Sequence, residues 1–264
     1  MSGTLVEQQF GAAAADYATS TVHARGPSLA RLVALVAPQL HWRALDVATG
    51  AGHTALAFAP LVAHVIASDI TEEMLAEAGK LARARGLTNV DAAKADAGKL
   101  PFADASFDLV TCRLAAHHFP DPAAFVGEAW RVLKPGGAFA LVDNVSPDAM
   151  LLPDATPAQL RDATVLYNAY ERLRDPSHAR CLSPSEWLEL LGDIGFAGAR
   201  HELLDQDIAF APWTARMRCS SETIARLATM LEAGPLRAFL RPREDGGERL
   251  FTLQEAIIVA HKPD

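Results

Sequence analysis

This chain predicts an α/β fold with a mostly parallel sheet, on three observations. From Ala44 to Asp143, short apolar runs alternate with helical patterns. The first run ends in an acid and passes into paired glycines, LDVATGAGHTA, before a helical pattern begins. After residue 143 the rhythm changes to helices with two final strand patterns. Strands that alternate with helices need a sheet covered on both faces.

Each element follows from its residues. ALDVA is a strand, and a helix begins near His53. HVIASD (64–69) is the next strand, followed by a helix over 71–85. Thr71 can cap that helix, Glu72 and Glu73 suit its positive end, and Gly86 can close it. VDAAKAD (90–96) is a weaker strand and FDLVTCR (107–113) a stronger one. Asp121-Pro122 reads as an N-cap with proline at the first helical position. Val126, Ala129, Trp130 and Leu133 form the buried stripe of that helix, KPGG (134–137) ends it, and AFALVD (138–143) is a strand. A helix is expected over 157–174, with Leu160, Ala163, Tyr167, Tyr170 and Arg174 on one side. Another is expected over 184–194, stopped by Gly195. The last strands fall near 199–209 and 250–261, and a helical insertion between them is closed by Gly234. An N-terminal helix carries Phe10, Ala14 and Tyr17.

Composition narrows the function. The formal net charge is −8, which argues against nucleic acid, whose phosphates demand many Lys and Arg. It argues equally against an anionic membrane surface. The three cysteines are scattered without a CxxC pair, which fits a reducing compartment. No signal peptide is evident, and no run reaches roughly 18 apolar residues. A cytoplasmic protein is expected. Nine histidines invite a metal reading, but no i, i+4 pair or cysteine partner supports one, so no metal is expected.

Two cofactors could use the glycine stretch. GAGHTA (50–55) satisfies G-x-G-x-x-G/A, and Asp69 could serve a nicotinamide dinucleotide at the second strand's end. Three details oppose that choice. Asp46 at the end of the first strand would repel a pyrophosphate. The element holds no basic residue to offset two phosphates. The strand opens only at Ala44, whereas the dinucleotide fingerprint usually opens its domain. S-adenosylmethionine fits better. Asp46 can hold its amino-acid end, directly or through water, and Gly50 and Gly52 allow close backbone approach. Asp69 can accept both ribose hydroxyls, and Asp96-Ala97 is placed for the adenine.

The stretch 44–143 resembles a class I S-adenosylmethionine-dependent methyltransferase of the methyltransferase type 11 family. The matching pieces are LDVATGAGHTA, ASDITEEML, AKADAGKLPFADASFDLVTCRLAAHHFPD and RVLKPGGAFALVD. The family is similar to the ubiquinone/menaquinone-biosynthesis methyltransferases and is broad in substrate. RLRDPSH (172–178) and YATSTVHARGPSL resemble a subgroup of bacterial small-molecule methyltransferases. The resemblance implies a Rossmann-like, seven-stranded, mostly parallel sheet with the last strand antiparallel, helices on both faces and helical lid elements. It implies one domain over 1–264, with an N-terminal lid at 1–40 and a cofactor-binding core at 44–143. A lid insertion at 147–182 and a helical insertion at 210–249 complete it. Ala48, Ile70 and Met74 join the cofactor set. Arg113 sits where the family contacts the cofactor's methionine end, unless it makes a surface salt bridge. The N-terminal segment with Tyr17 and His23 closes over the cofactor, although Tyr17 could instead pack beside Phe10.

Methyl transfer from a sulfonium is an in-line displacement in which the protein mainly positions the acceptor and excludes water. A base is needed only where the acceptor keeps its proton. His118 and His117 follow the fourth strand at the sheet edge where ligands bind, and they are the catalytic candidates. Either could instead pack or cap the backbone. Arg174, His178 and Tyr170 are the acceptor candidates. A buried arginine hints at a carboxylate or phosphate on the acceptor, or at an internal ion pair with Asp175 or Glu171. Phe119, Trp187 and Trp213, with the two tyrosines of the 157–174 helix, could build an apolar pocket or ordinary core. The expected partner is a small-molecule acceptor, with no nucleic acid and no membrane.

Overall fold

The structure is a computed structural model, and it describes residues 5, 7, 10, 11, 14 and 26–264. Helix α1 (Pro27–Val36) leads into β1 (Arg43–Val47), α2 (His53–Phe58), β2 (His64–Asp69), α3 (Glu72–Ala84) and β3 (Val90–Lys94). Then come β4 (Phe107–Arg113), a 3-10 turn at Ala116–His118, α4 (Pro122–Val132) and β5 (Leu133–Asn144). The second half holds α5 (Pro157–Arg174), α6 (Pro184–Ile194), β6 (Ala197–Ala209), α7 (Phe210–Arg216), α8 (Ser221–Leu231) and α9 (Gly234–Leu240). A hairpin of β7 (Arg243–Asp245) and β8 (Glu248–His261) ends the chain. No helix among the described residues is long and apolar enough to cross a membrane.

The strands lie in the order β3-β2-β1-β4-β5-β8-β6. The first five are mutually parallel, and β8 runs antiparallel to both β5 and β6. The expected seven-stranded sheet with an antiparallel last strand is therefore present. The short β7, which pairs with β8, is an addition. Chain order reverses between β1 and β4, and at such a point the strands' C-terminal ends open a crevice for a ligand.

Helices α4 and α6 cover one face through Phe125, Val126, Trp187 and Leu191, packed on Leu45, Val110 and Phe139. Leu32, Val36 and Phe58 cover the other face against Ala44, Val65, Leu109 and Val142. A third cluster joins α5 to α7, α8 and α9 over the β8 end, through Tyr167, Tyr170, Trp213, Leu227, Phe239 and Phe251. Capping boxes fix the starts of α5 (Thr156 with Gln159) and α6 (Ser183 with Glu186). Each box satisfies two orphan donors reciprocally.

Three local readings change. Thr71 occupies the N-cap of α3 without a side-chain cap bond. The Asp69 carboxylate accepts the Thr71 backbone N–H instead, at 2.9 Å. Gly234 opens α9 rather than closing α8, whose cap residue is Glu232. KPGG lies inside β5, because the chain is already extended at Leu133.

Candidate active site

One cavity occupies the C-terminal edge of the sheet, and it has two halves. The loop after β1, the end of β2, the loop after β3 and the end of β4 line the first with Ala48, Gly50, Asp69, Ile70, Met74, Asp96, Ala97 and Arg113. The 3-10 turn after β4, helix α5, β6, α7 and β8 line the second with His117, His118, Glu171, Arg174, His178 and Trp213.

The glycine loop is held from below. Asp46 is 1% exposed, and it does not line the cavity. Its carboxylate accepts from Thr49 Oγ1 and Thr111 Oγ1, each at 2.6 Å, and from the Ala55 backbone N at 3.1 Å. Thr111 stands opposite Asp46 in the β1–β4 register. Burial pushes the Asp46 carboxyl up to about 6 despite these hydrogen bonds. Of the two expected modes, direct contact of Asp46 with a ligand does not fit this burial, whereas contact through water is left open. Asp46 accepts three hydrogen bonds within the protein, which tie the loop to β4 and to the start of α2.

The two glycines do different work. Gly50 has φ +54° and nothing within 4 Å of where a Cβ would stand, so its backbone can meet a ligand without obstruction. Gly52 has φ +87°, and a Cβ there would lie 2.8 Å from the Ala78 Cβ. It does not line the cavity, and its expected cofactor contact gives way to close packing of the loop on α3. Ala48 and Leu114 hold φ of 51° and 54°. Positive φ on non-glycine residues is costly and gathers at ligand-binding loops.

Asp69, 7% exposed, accepts from the Gly50 N–H at 2.9 Å and from Thr71 N. Burial raises its carboxyl against those bonds. Asp96 accepts from the Gly98 N–H at 2.9 Å, which shapes the turn after β3. Burial lowers Arg113, against Glu255 and Asp46, which favour its charge.

Three histidines meet in the second half. The ring centroids of His117 and His118 are 4.2 Å apart, and those of His117 and His178 are 5.7 Å apart. His117 Nδ1 lies 2.6 Å from Asp143 Oδ1, and its backbone N–H donates to Asp143 Oδ2 at 2.7 Å. Burial disfavours the charged ring, but Asp143, Glu171 and Asp175 outweigh it and hold His117 above its ordinary value. His118 contacts the carbonyl and hydroxyl of Ser177, each at 3.2 Å. Burial, then His117, pushes it well down. His178 Nε2 lies 3.0 Å from Asn168 Oδ1. Burial, then His117, Arg172 and Arg174, lowers it to about 3. The His117 carbonyl accepts from the N–H groups of Ala179 and Arg180, which fastens the segment after α5 to the sheet edge.

Arg174 makes the internal ion pair, with Glu171 at 3.9 Å. Its Nε donates to the Trp213 carbonyl at 3.1 Å, and its guanidinium stands 4.4 Å from the indole ring centre. Tyr170 does not line the cavity. It stacks on Trp213 at 5.2 Å and 15° inside the third core cluster, and Trp213 rather than Tyr170 lines the cavity. Phe119 lines the cavity, whereas Trp187 belongs to the core. Tyr17 and His23 lie outside the described residues. Thr49, Thr111 and Asp143 carried no role in the sequence reading. Only the strand register brings Thr111 to Asp46, and only the folded turn brings Asp143 to His117.

A family model described as a methyltransferase domain matches residues 45–141. The chain is 41% identical over 210 residues to an uncharacterized methyltransferase, YcgJ, of Bacillus subtilis, covering 80% of this chain and 79% of that protein. It is 34% identical to a demethylmenaquinone methyltransferase of Clavibacter sepedonicus, over 66% of this chain and 73% of that one. The solved structure of the YcgJ protein superposes with a TM-score of 0.81 and 33% identity, over 90% of this chain and 98% of that chain.

Proposed function

Because this chain belongs to the class I S-adenosylmethionine-dependent methyltransferases, we propose that it methylates a small acceptor that must lose a proton as it reacts. S-adenosylmethionine is the cofactor, and it supplies a methyl group on a sulfonium that needs no further activation. The open space above Gly50 and the Asp69 carboxylate in the cavity wall fit that molecule. In this reading Asp69 takes the ribose hydroxyls, Asp96-Ala97 faces the adenine, and Arg113 meets the methionine end. Asp46 acts through the loop rather than on the ligand.

The observation that carries the proposal is that His117, in the cavity wall, is held from behind by the buried Asp143. Asp143 fixes the neutral ring with its proton on Nδ1, which leaves Nε2 as the acceptor. His117 Nε2 has no hydrogen-bond partner among the described residues. A base is more effective when its neighbours raise its proton affinity. With the methyl group supplied by the cofactor, His117 Nε2 would take the acceptor's proton. Asp143 compensates the resulting imidazolium, and the proton then leaves to solvent. His118, held neutral, is a weaker base and forms the wall beside His117. The segments after β5 and after β6 supply the roof that excludes water.

The test has two stages. Calorimetry should detect S-adenosylhomocysteine binding and no comparable NADH binding. Incubation with methyl-labelled cofactor and a metabolite extract should then label a small molecule at an oxygen or nitrogen, or at a carbon activated by loss of a neighbouring proton. Comparable NADH affinity would remove the cofactor assignment, and label confined to macromolecules would remove the small-acceptor assignment.

A further inference from the structure

Glu171 is 5% exposed and lines the acceptor half of the cavity. Its Oε1 has no hydrogen-bond partner among the described residues, and its Oε2 stands 3.9 Å from Arg174, beyond hydrogen-bond length. A buried carboxyl oxygen left without a donor costs free energy, and such groups are uncommon in folded proteins. Arg174 does not serve as an open anion hook. Its Nε is engaged by the Trp213 carbonyl and its charge lies over the indole. Asp175 and Glu255 line the same cavity, as do Arg174 and Arg216, and an acceptor anion placed at Oε1 would meet the Glu171 carboxyl itself. Phe119, Ile208, Trp213 and Leu253 give the same wall an apolar body.

We propose that Glu171 is a specificity-determining residue, whose Oε1 accepts a hydrogen bond from an O–H or N–H donor on the acceptor. This donor is second to the group deprotonated at His117. The acceptor class is thus an uncharged molecule with an apolar or aromatic body and two proton-bearing groups. The proposal rests on the methyl-transfer reading above.

The experiment titrates small aromatic probes into the full chain saturated with S-adenosylhomocysteine, followed by calorimetry. Catechol carries two donors, phenol one, and salicylate a negative charge. 2-Aminophenol in place of catechol separates an amine from a hydroxyl at Glu171. Catechol or 2-aminophenol should bind about tenfold more tightly than phenol, the gain of one hydrogen bond to a charged group, and salicylate should bind worst. Glu171→Leu should erase the preference for two donors and leave S-adenosylhomocysteine affinity intact. Glu171→Gln keeps an acceptor oxygen and guards against a folding failure of the leucine variant; its preference should shrink without vanishing. The proposal is overturned by salicylate binding best, by an undiminished preference in either variant, or by no probe binding at millimolar concentration. Any of these with S-adenosylhomocysteine still bound leaves methyl transfer standing, whereas wild-type protein that fails to bind S-adenosylhomocysteine sinks both.

Discussion

Asp143 grips His117 twice, through the ring Nδ1 at 2.6 Å and through the backbone N–H at 2.7 Å. The same carboxylate therefore sets the ring's position, its tautomer and its proton affinity. His117 stands in the cavity wall, and groups with shifted proton affinity concentrate at functional sites.

Asp143→Asn should lower turnover by about 10²-fold or more, the scale of a positioned acid–base group, without loss of S-adenosylhomocysteine binding. The pH profile gives the sign. His117 must be unprotonated to act, so activity rises as pH climbs through its raised value. Removing the Asp143 charge lowers that value, so the acid limb should move to lower pH beneath a reduced plateau. An acid limb that stays in place would detach Asp143 from the chemistry.

The glycines should separate binding from stability. Gly50→Ala places a Cβ in the ligand's space, so cofactor affinity should collapse while the left-handed backbone costs about 1 kcal/mol. Gly52→Ala drives a Cβ to 2.8 Å from Ala78 and adds overpacking of about 1–3 kcal/mol to the same strain. Melting temperatures and calorimetry check both. Equal melting temperatures for the two variants would contradict the division of labour.

Thr111→Val removes a 2.6 Å donor from a carboxyl that is 1% exposed. Leaving that acceptor short should cost about 1–3 kcal/mol of stability and should weaken cofactor binding through the loop. Unaltered affinity for S-adenosylhomocysteine would mean that the loop keeps its shape without the β4 tether.

His178 makes the protein acid-sensitive. Its folded value, about 3, lies below the ordinary 6.5, so the unfolded chain takes up the proton first. Stability is lost as pH falls below about 6.5, by about 2 kcal/mol at pH 5. Asp46 runs the other way. Its folded value of about 6 lies above the ordinary 3.8, so its contribution grows as pH falls. The check is therefore a difference. Urea unfolding at pH 7 and pH 5 should show wild type losing about 2 kcal/mol more than His178→Gln. Identical losses would show that His178 titrates normally.

The sheet and most helices were legible because their signals are local. Helix α5 matched its expected span because its helical spacing runs unbroken from Leu160 to Arg174, and the Asp121–Pro122 cap of α4 was equally plain. The lining of the cavity's first half was largely legible too, since most of its residues follow strand ends in sequence. Asp46 and Gly52 show the limit. The sequence places both at the loop but cannot say which atoms they meet, and Thr111 and Ala78 decide that from distant positions. Tyr170 and Trp213 show it again. Helical spacing put Tyr170 on the inner face, yet Trp213, from beyond β6, stacks on it and takes the cavity side.

The most direct measurement follows labelled methyl groups from S-adenosylmethionine into a metabolite extract, with wild-type protein and with His117→Gln side by side. Methyl transfer assisted by His117 predicts a labelled small molecule with wild type and its loss with the variant, while both proteins bind S-adenosylhomocysteine equally well. Equal labelling by the two proteins, or none by a wild type that binds the cofactor, would contradict it.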